Sequence, residues 1–226
     1  YQLAQNDDKS AIFESYCDFL NYFDHSIAVQ FSFVNRHTSA EDFENMIAIP
    51  EQDDDFNDIR HEYSEMLKSQ LTKGNNGLTK TKYVTFTIEA KDLKSAKQRL
   101  ERIETDVLNS FRAMGVKAEP LNGHDRLELM FDIFKSDNRD KFHFTWDMLK
   151  ISGMSTKDYI APSSFNFSKR DSFAMGKSYG AVSYLQITAP ELTDRMLADF
   201  LDLESNIIVN IPIQSIDQLT AIKNIK

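Results

Sequence analysis

Between Ala11 and Asp24 the apolar residues Ile12, Phe13, Tyr16, Phe19, Leu20 and Phe23 recur at the spacing of one helix face, which predicts a helix. From Ser26 to Val34 the pattern changes to alternation, with Ile27, Val29, Phe31 and Phe33 on one side of a predicted strand. Residues 35–55 are polar, with a short helical turn expected around Glu41–Met46 and a break at Pro50. Phe56–Lys73 reads as a second helix, stopped by Gly74-Asn-Asn-Gly77.

Alternation returns over Lys82–Ala90 through Tyr83, Val84, Phe86 and Ile88. The strongest helical signal follows. Asp92 is a ready N-cap, and Leu93, Ala96, Leu100, Ile103, Val107, Phe111 and Met114 form one apolar stripe that ends at Gly115. A short strand is expected over Val116–Glu119 and a helix over His124–Phe134. Residues 135–170, with Trp146, Gly153 and Pro162, read as a weakly patterned link.

Beyond it, Ser172–Met175 and Ala181–Ile187 read as the arms of a hairpin around Gly176-Lys-Ser-Tyr-Gly180. Thr193–Leu203 is a predicted helix opened by Pro190-Glu191, Ile207–Ile213 a strand, and Ser215–Lys226 a further helix. This mixed order predicts an α+β fold, with helices packed on one face of a mainly antiparallel sheet. The expected division is an N-terminal α+β subdomain over 1–135, a linker or irregular region over 136–170, and a hairpin with a βα continuation over 171–226.

Leu, Ile, Val and Phe occupy 60 of the 226 positions. That share is well above the ~20% typical of disordered chains, so a packed core is expected. A lone cysteine, Cys17, allows no internal disulfide and no cysteine-based zinc cluster, and points to a reducing, cytoplasmic compartment. No run approaches the ~20 apolar residues of a membrane span, and no signal peptide is expected. The chain opens Tyr-Gln-Leu-Ala and closes without a helix stop, so both ends read as cut from something longer.

The net charge of −9 sits entirely in the first third. Residues 1–80 hold 6 Lys and Arg against 15 Asp and Glu, and the remainder is balanced. The acidic excess is densest at Glu51-Gln-Asp-Asp-Asp-Phe-Asn-Asp58. Nucleic-acid binders carry a basic face, so direct nucleic-acid binding is not expected. Glu51, Asp53, Asp54, Asp55 and Asp58 are the candidate partner contact, with nothing near in sequence to neutralise them. A basic segment is the chemistry they would recruit; a solvated acidic loop is the plainer reading.

Four segments imitate catalytic motifs and fall short. Asp171-Ser-Phe-Ala-Met-Gly-Lys-Ser178 has Asp where a phosphate-binding loop needs its first Gly, and a strand-like run follows instead of a helix. Gly176-Lys-Ser-Tyr-Gly180 matches a nucleophile elbow but also lacks the following helix, and every histidine precedes Ser178. His61-Glu62 begins a zinc motif whose second His is replaced by Glu65. Asp53-x-Asp55-x-Asn57 begins a calcium loop but has Asp58 and Ser64 where Gly and Glu belong. No catalytic, cofactor or metal residues are therefore assigned.

Several segments nevertheless resemble the N-terminal region of conjugative-transfer ATPases of the TrbE/CagE/VirB class, from Gram-positive conjugative transposons. They are Phe13-Glu-Ser-Tyr-Cys-Asp-Phe-Leu-Asn-Tyr-Phe-Asp24, Lys73-Gly-Asn-Asn-Gly-Leu-Thr-Lys-Thr-Lys-Tyr83, the helix to Gly115, Gly123-His-Asp-Arg-Leu-Glu-Leu-Met-Phe131, and Ala181-Val-Ser-Tyr-Leu-Gln-Ile-Thr-Ala-Pro-Glu191. The resemblance implies a non-catalytic docking and assembly domain ahead of an ATPase motor, the motor being expected after Lys226 and binding ATP and Mg. It implies partners among type IV secretion channel components at the inner face of the membrane, or neighbouring protomers. The other readings are a self-standing enzyme, or a nucleic-acid-handling module, using the 172–180 turn.

Overall fold

The computed structural model describes residues 6–37, 47–74, 78–135, 142–188, 199–200, 202–203 and 205–225. It is an α+β protein, with two small antiparallel sheets among the described residues. The chain forms two compact units, Tyr1–Ala118 with Leu192–Lys226, and Glu119–Glu191.

The first unit is built from α1 (Asn6–Asn21), β1 (Ile27–His37), α2 (Asn57–Gly74), β2 (Leu78–Ile88) and α3 (Leu93–Ala113). Its second section adds β6 (Ile207–Gln214) and α7 (Gln218–Ile225). The strands lie in the order β2-β1-β6, all antiparallel. Register follows the hydrophobic alternation: Val29 is opposite Phe86 and Ile213, and Phe31 opposite Val84 and Ile211. One face is therefore apolar, and α1 and α3 close over it. Phe19, Phe23, Ile27, Val29, Ile103 and Val107 are the buried centre, with Phe86, Ile88 and Phe111 packed around them.

The reverse face takes the other residues of the alternation and is polar around its middle, while Val34, opposite Ile208, is buried there. Ser32 Oγ donates to Asn210 Oδ1 at 2.7 Å, and Gln30 Nε2 donates to Ser32 Oγ at 3.0 Å.

Local chemistry fixes the helix ends. Asp92 caps α3 by accepting from the Ser95 N–H at 2.8 Å, and these bonds hold its carboxyl below the usual range. At the other end Gly115 adopts φ 73°, so that its N–H reaches Arg112 O and the Val116 N–H reaches Phe111 O. This closing loop needs a left-handed residue, which glycine supplies without strain. Tyr22 Oη donates to Asp106 Oδ2 at 2.8 Å and ties α1 to α3. Desolvation, then this bond and the Asp106 charge, push the Tyr22 phenol up to about 12.

The second unit contains α4 (Gly123–Phe134), α5 (Trp146–Ser152), α6 (Thr156–Ile160) and the strands β3 (Phe165–Asn166), β4 (Phe173–Met175) and β5 (Ser178–Gly180). Asn122 and Asp125 form a reciprocal capping box at the start of α4. An aromatic cluster holds the helices. Phe144 packs on Trp146 and Tyr159 with ring centroids 5.2 and 5.0 Å apart, and Phe142 bridges Phe131 and Phe144. His124 Nε2 lies 3.1 Å from Phe144 O. The sheet order is β3-β4-β5, with Phe173 lying over Gly180, where any Cβ would meet its ring at 2.5 Å.

Several expectations change. Of the expected linker or irregular region, residues 142–170 carry α5, α6 and β3, and Phe142 and Phe144 pack into the aromatic cluster with Trp146 at its edge. Their aromatic alternation carried no helical period and was invisible to that test. The expected boundaries at 135 and 171 give way to 118 and 191, because β6 pairs with β1 in the first unit. Val116–Glu119 is irregular rather than a strand. The hairpin is tighter than expected, with arms Phe173–Met175 and Ser178–Gly180 closed by Gly176 at φ 58° and Lys177. Residues 181–188 lie beyond its pairing. The expected turn at Glu41–Met46 lies outside the described residues, as does most of the expected Thr193–Leu203 helix.

Candidate docking surface

The acidic run leads into α2 and is partly organised by it. Asp54 Oδ2 accepts from Arg60 Nη2 at 2.6 Å, Asp54 Oδ1 pairs with Arg60 Nη1, and Asp54 Oδ1 also accepts from the Phe56 N–H at 3.0 Å. Asn57 bridges back to Gln52, its Oδ1 accepting from the Gln52 N–H at 3.0 Å and its Nδ2 donating to the Gln52 carbonyl at 2.8 Å. Arg60 Nη1 also donates to Asn57 Oδ1 at 2.8 Å. Ser64 Oγ accepts from the Ile49 N–H at 3.2 Å and donates to Arg60 O at 2.9 Å, which pins the entering chain along the helix.

The five acidic residues thus separate into two roles. Asp54 is neutralised by Arg60, contrary to the expectation that nothing nearby does so. Its carboxyl is lowered to about 2 by the Arg60 bond, the Phe56 N–H and the Arg60 charge. Glu51, Asp53, Asp55 and Asp58 are exposed, and no ion pair to a described residue involves them. Asp58 stands in the first turn of α2, where the helix dipole favours a negative charge.

Helix α2 leaves much of its apolar surface in solvent, with Leu67 half-buried. Asn57, Arg60, Ser64 and Lys68 are half-buried along one face and line an open groove with Ile47, Ala48 and Ile49. Phe56, Ile59, Tyr63 and Met66 form an apolar stripe that is exposed, Phe56 and Ile59 to about 60%. The helix was legible in the sequence, but this orientation was not. Its apolar spacing reads the same whether the stripe meets core or solvent.

The acidic pair makes a pH prediction. A carboxyl whose folded value lies near 2, against an ordinary value of about 3.9, adds stability that is present in full above that ordinary value. The contribution fades as pH falls from about 4 to about 2. Following the Asp54 carboxyl carbon by NMR should give a midpoint near 2. In Arg60→Gln the midpoint should move up by a unit or more, because a guanidinium partner lowers a carboxyl by about 1–3 units. An unmoved midpoint would show that Arg60 is not its partner in solution.

The segment that imitates a phosphate-binding loop forms β4, the Gly176-Lys177 turn and β5. Lys177 sits in the turn and Ser178 opens a strand, so the helix that a phosphate-binding loop leads into does not follow it, and the nucleophile-elbow geometry fails on the same ground. Among the described residues no His, Cys, Asp or Glu cluster has metal-ligand geometry, and no helix is long and apolar enough to cross a membrane. Comparison with known proteins finds no family model and no curated protein matching this chain.

Proposed function

We propose that this chain is a non-catalytic docking and assembly domain of a conjugative-transfer ATPase, linking a motor to the membrane channel of a type IV secretion system. The observation that supports it is the exposed apolar stripe of helix α2 beside the acidic run. An exposed apolar stripe flanked by unpaired carboxylates fits a basic amphipathic segment, apolar side to apolar side and Lys or Arg toward the acidic run. Cytoplasmic segments of membrane proteins are enriched in Lys and Arg, which makes a channel component the partner this surface suits. The family assignment itself rests on the sequence resemblance.

The test separates docking charge from folding charge by leaving Asp54 in place. Glu51→Gln with Asp53→Asn and Asp55→Asn should weaken binding to the membrane-bound channel complex about tenfold at low salt. The dependence on salt should flatten, since exposed charges are screened beyond ~8 Å at physiological ionic strength. Unchanged affinity and an unchanged salt slope would leave the acidic run as a solvated loop and remove the docking role.

A further inference from the structure

Among the described residues β5 is the outermost strand of the second unit's sheet, and no described strand pairs with the chain that runs on from it. Ala181–Thr188 has no helix, strand or turn, and its backbone makes no hydrogen bond with a described residue. Tyr179, Val182 and Tyr184 are 82, 86 and 89% exposed, with Leu185 and Ile187 also exposed. Backbone groups of a strand seek partners, and an apolar run this open marks an interaction edge.

The other sheet shows how edges are normally protected. Its outer strands are β2, which carries Lys80 and Lys82, and β6, which carries Pro212. Charged side chains and proline obstruct strand addition. From Ser178 to Thr188 there is neither a charge nor a proline.

We propose that Ser178–Thr188 pairs antiparallel with the same segment of a second copy, about a two-fold axis at Ser183. The segment is self-complementary in that register. Tyr179 opposes Ile187 of the second copy, Ala181 opposes Leu185, Val182 opposes Tyr184, and Ser178 opposes Thr188. Gly180 opposite Gln186 is the one mixed pair. Aromatic–aliphatic and β-branched pairs directly across an antiparallel ladder are the stabilising ones.

Moving the axis by one residue, to Tyr184, sets Val182 against Gln186 and Ser183 against Leu185. That loses the match. With the axis at Ser183, β5 itself joins the ladder, and two three-stranded sheets become one continuous antiparallel sheet. The neutral strand also lets two chains of net charge −9 approach without local repulsion. This inference stands apart from the docking role of α2, which uses different residues.

The experiment is sedimentation velocity on the whole chain over a range of concentrations, with a charge swap. The wild-type chain should show a concentration-dependent dimer. Val182→Lys with Tyr184→Lys sets lysine against lysine and should weaken the dimer about 100-fold or more, as directly opposed like charges do. Val182→Lys with Tyr184→Glu sets lysine against glutamate in this register and should restore it. Both side chains are exposed, so each variant should melt as cooperatively as the parent. A chain that stays monomeric, including one that adds a strand from another protein instead, would overturn the proposal. So would a double-lysine variant that dimerises undiminished, or a swap that fails to restore association.

Discussion

Ile103→Asp is expected to abolish cooperative melting of the first unit. Ile103 is 3% exposed at the centre of the cluster formed by Phe19, Phe23, Ile27, Val29 and Val107. A carboxylate placed there has no basic partner among the residues of that cluster. Burying an unpaired charge costs several kcal/mol or more, comparable with the ~5–15 kcal/mol that holds a whole domain together. The same change at Leu93, on the same helix but 86% exposed, should alter stability by no more than about 0.5 kcal/mol. Leu93 opens the predicted stripe yet lies outside the core, so circular dichroism melts of the two variants compare the buried centre of that stripe with its exposed first residue. A cooperatively melting, soluble Ile103→Asp chain would show that α1 and α3 do not close over the sheet as described.

The second large effect belongs to the other unit. Phe144→Ala should destabilise residues 119–191 by about 3–5 kcal/mol, the range for truncating a buried aromatic. Phe144 is 4% exposed, with Phe142, Trp146, Tyr159 and the His124 ring around it. Its backbone carbonyl contact with His124 survives the change, so the loss is one of packing. Hydrogen exchange should accelerate in α4 and α6 while β1 and β2 keep their protection. Uniform acceleration throughout the chain would mean that the two compact units do not unfold separately.

The parts of the fold that could be read from sequence are those where burial repeats with a regular period. The α3 stripe and the alternation of β1 and β2 were legible because one face of each element is core, and their structural limits fall within a few residues of the pattern. Three things were not legible, each for a physical reason. The second core is assembled from Phe131 on α4, Phe142 and Phe144 in the irregular segment before α5, and Tyr159 on α6, so no single period runs through it. The assignment of β6 to the first sheet depends on a partner far along the chain, and pairing choice leaves no local mark. The length of the hairpin is set by Gly176-Lys177, a two-residue turn inside a stretch whose two glycines equally suit a wider one. At the candidate site the acidic residues were legible as a charge cluster. The Asp54–Arg60 pair was not, because it joins a loop to a helix at a separation of six residues, outside the i+3 and i+4 spacings that reveal helical ion pairs.

The late arrival of β6 has a consequence for how the protein is made. A ribosome delivers β1, β2 and α3 first, then the whole of residues 119–191, and only afterwards Ile207–Gln214. Until that segment emerges, one long side of β1 has no strand beside it, and the nascent first unit carries an open, apolar edge through Val29 and Phe31. By then residues 119–191, which make up the second unit, have all emerged and can collapse during this interval. Its collapse replaces a long flexible loop with a compact body, which lowers the entropy lost when β6 finds β1. Synthesis therefore leaves the first unit's sheet incomplete until the second has been delivered.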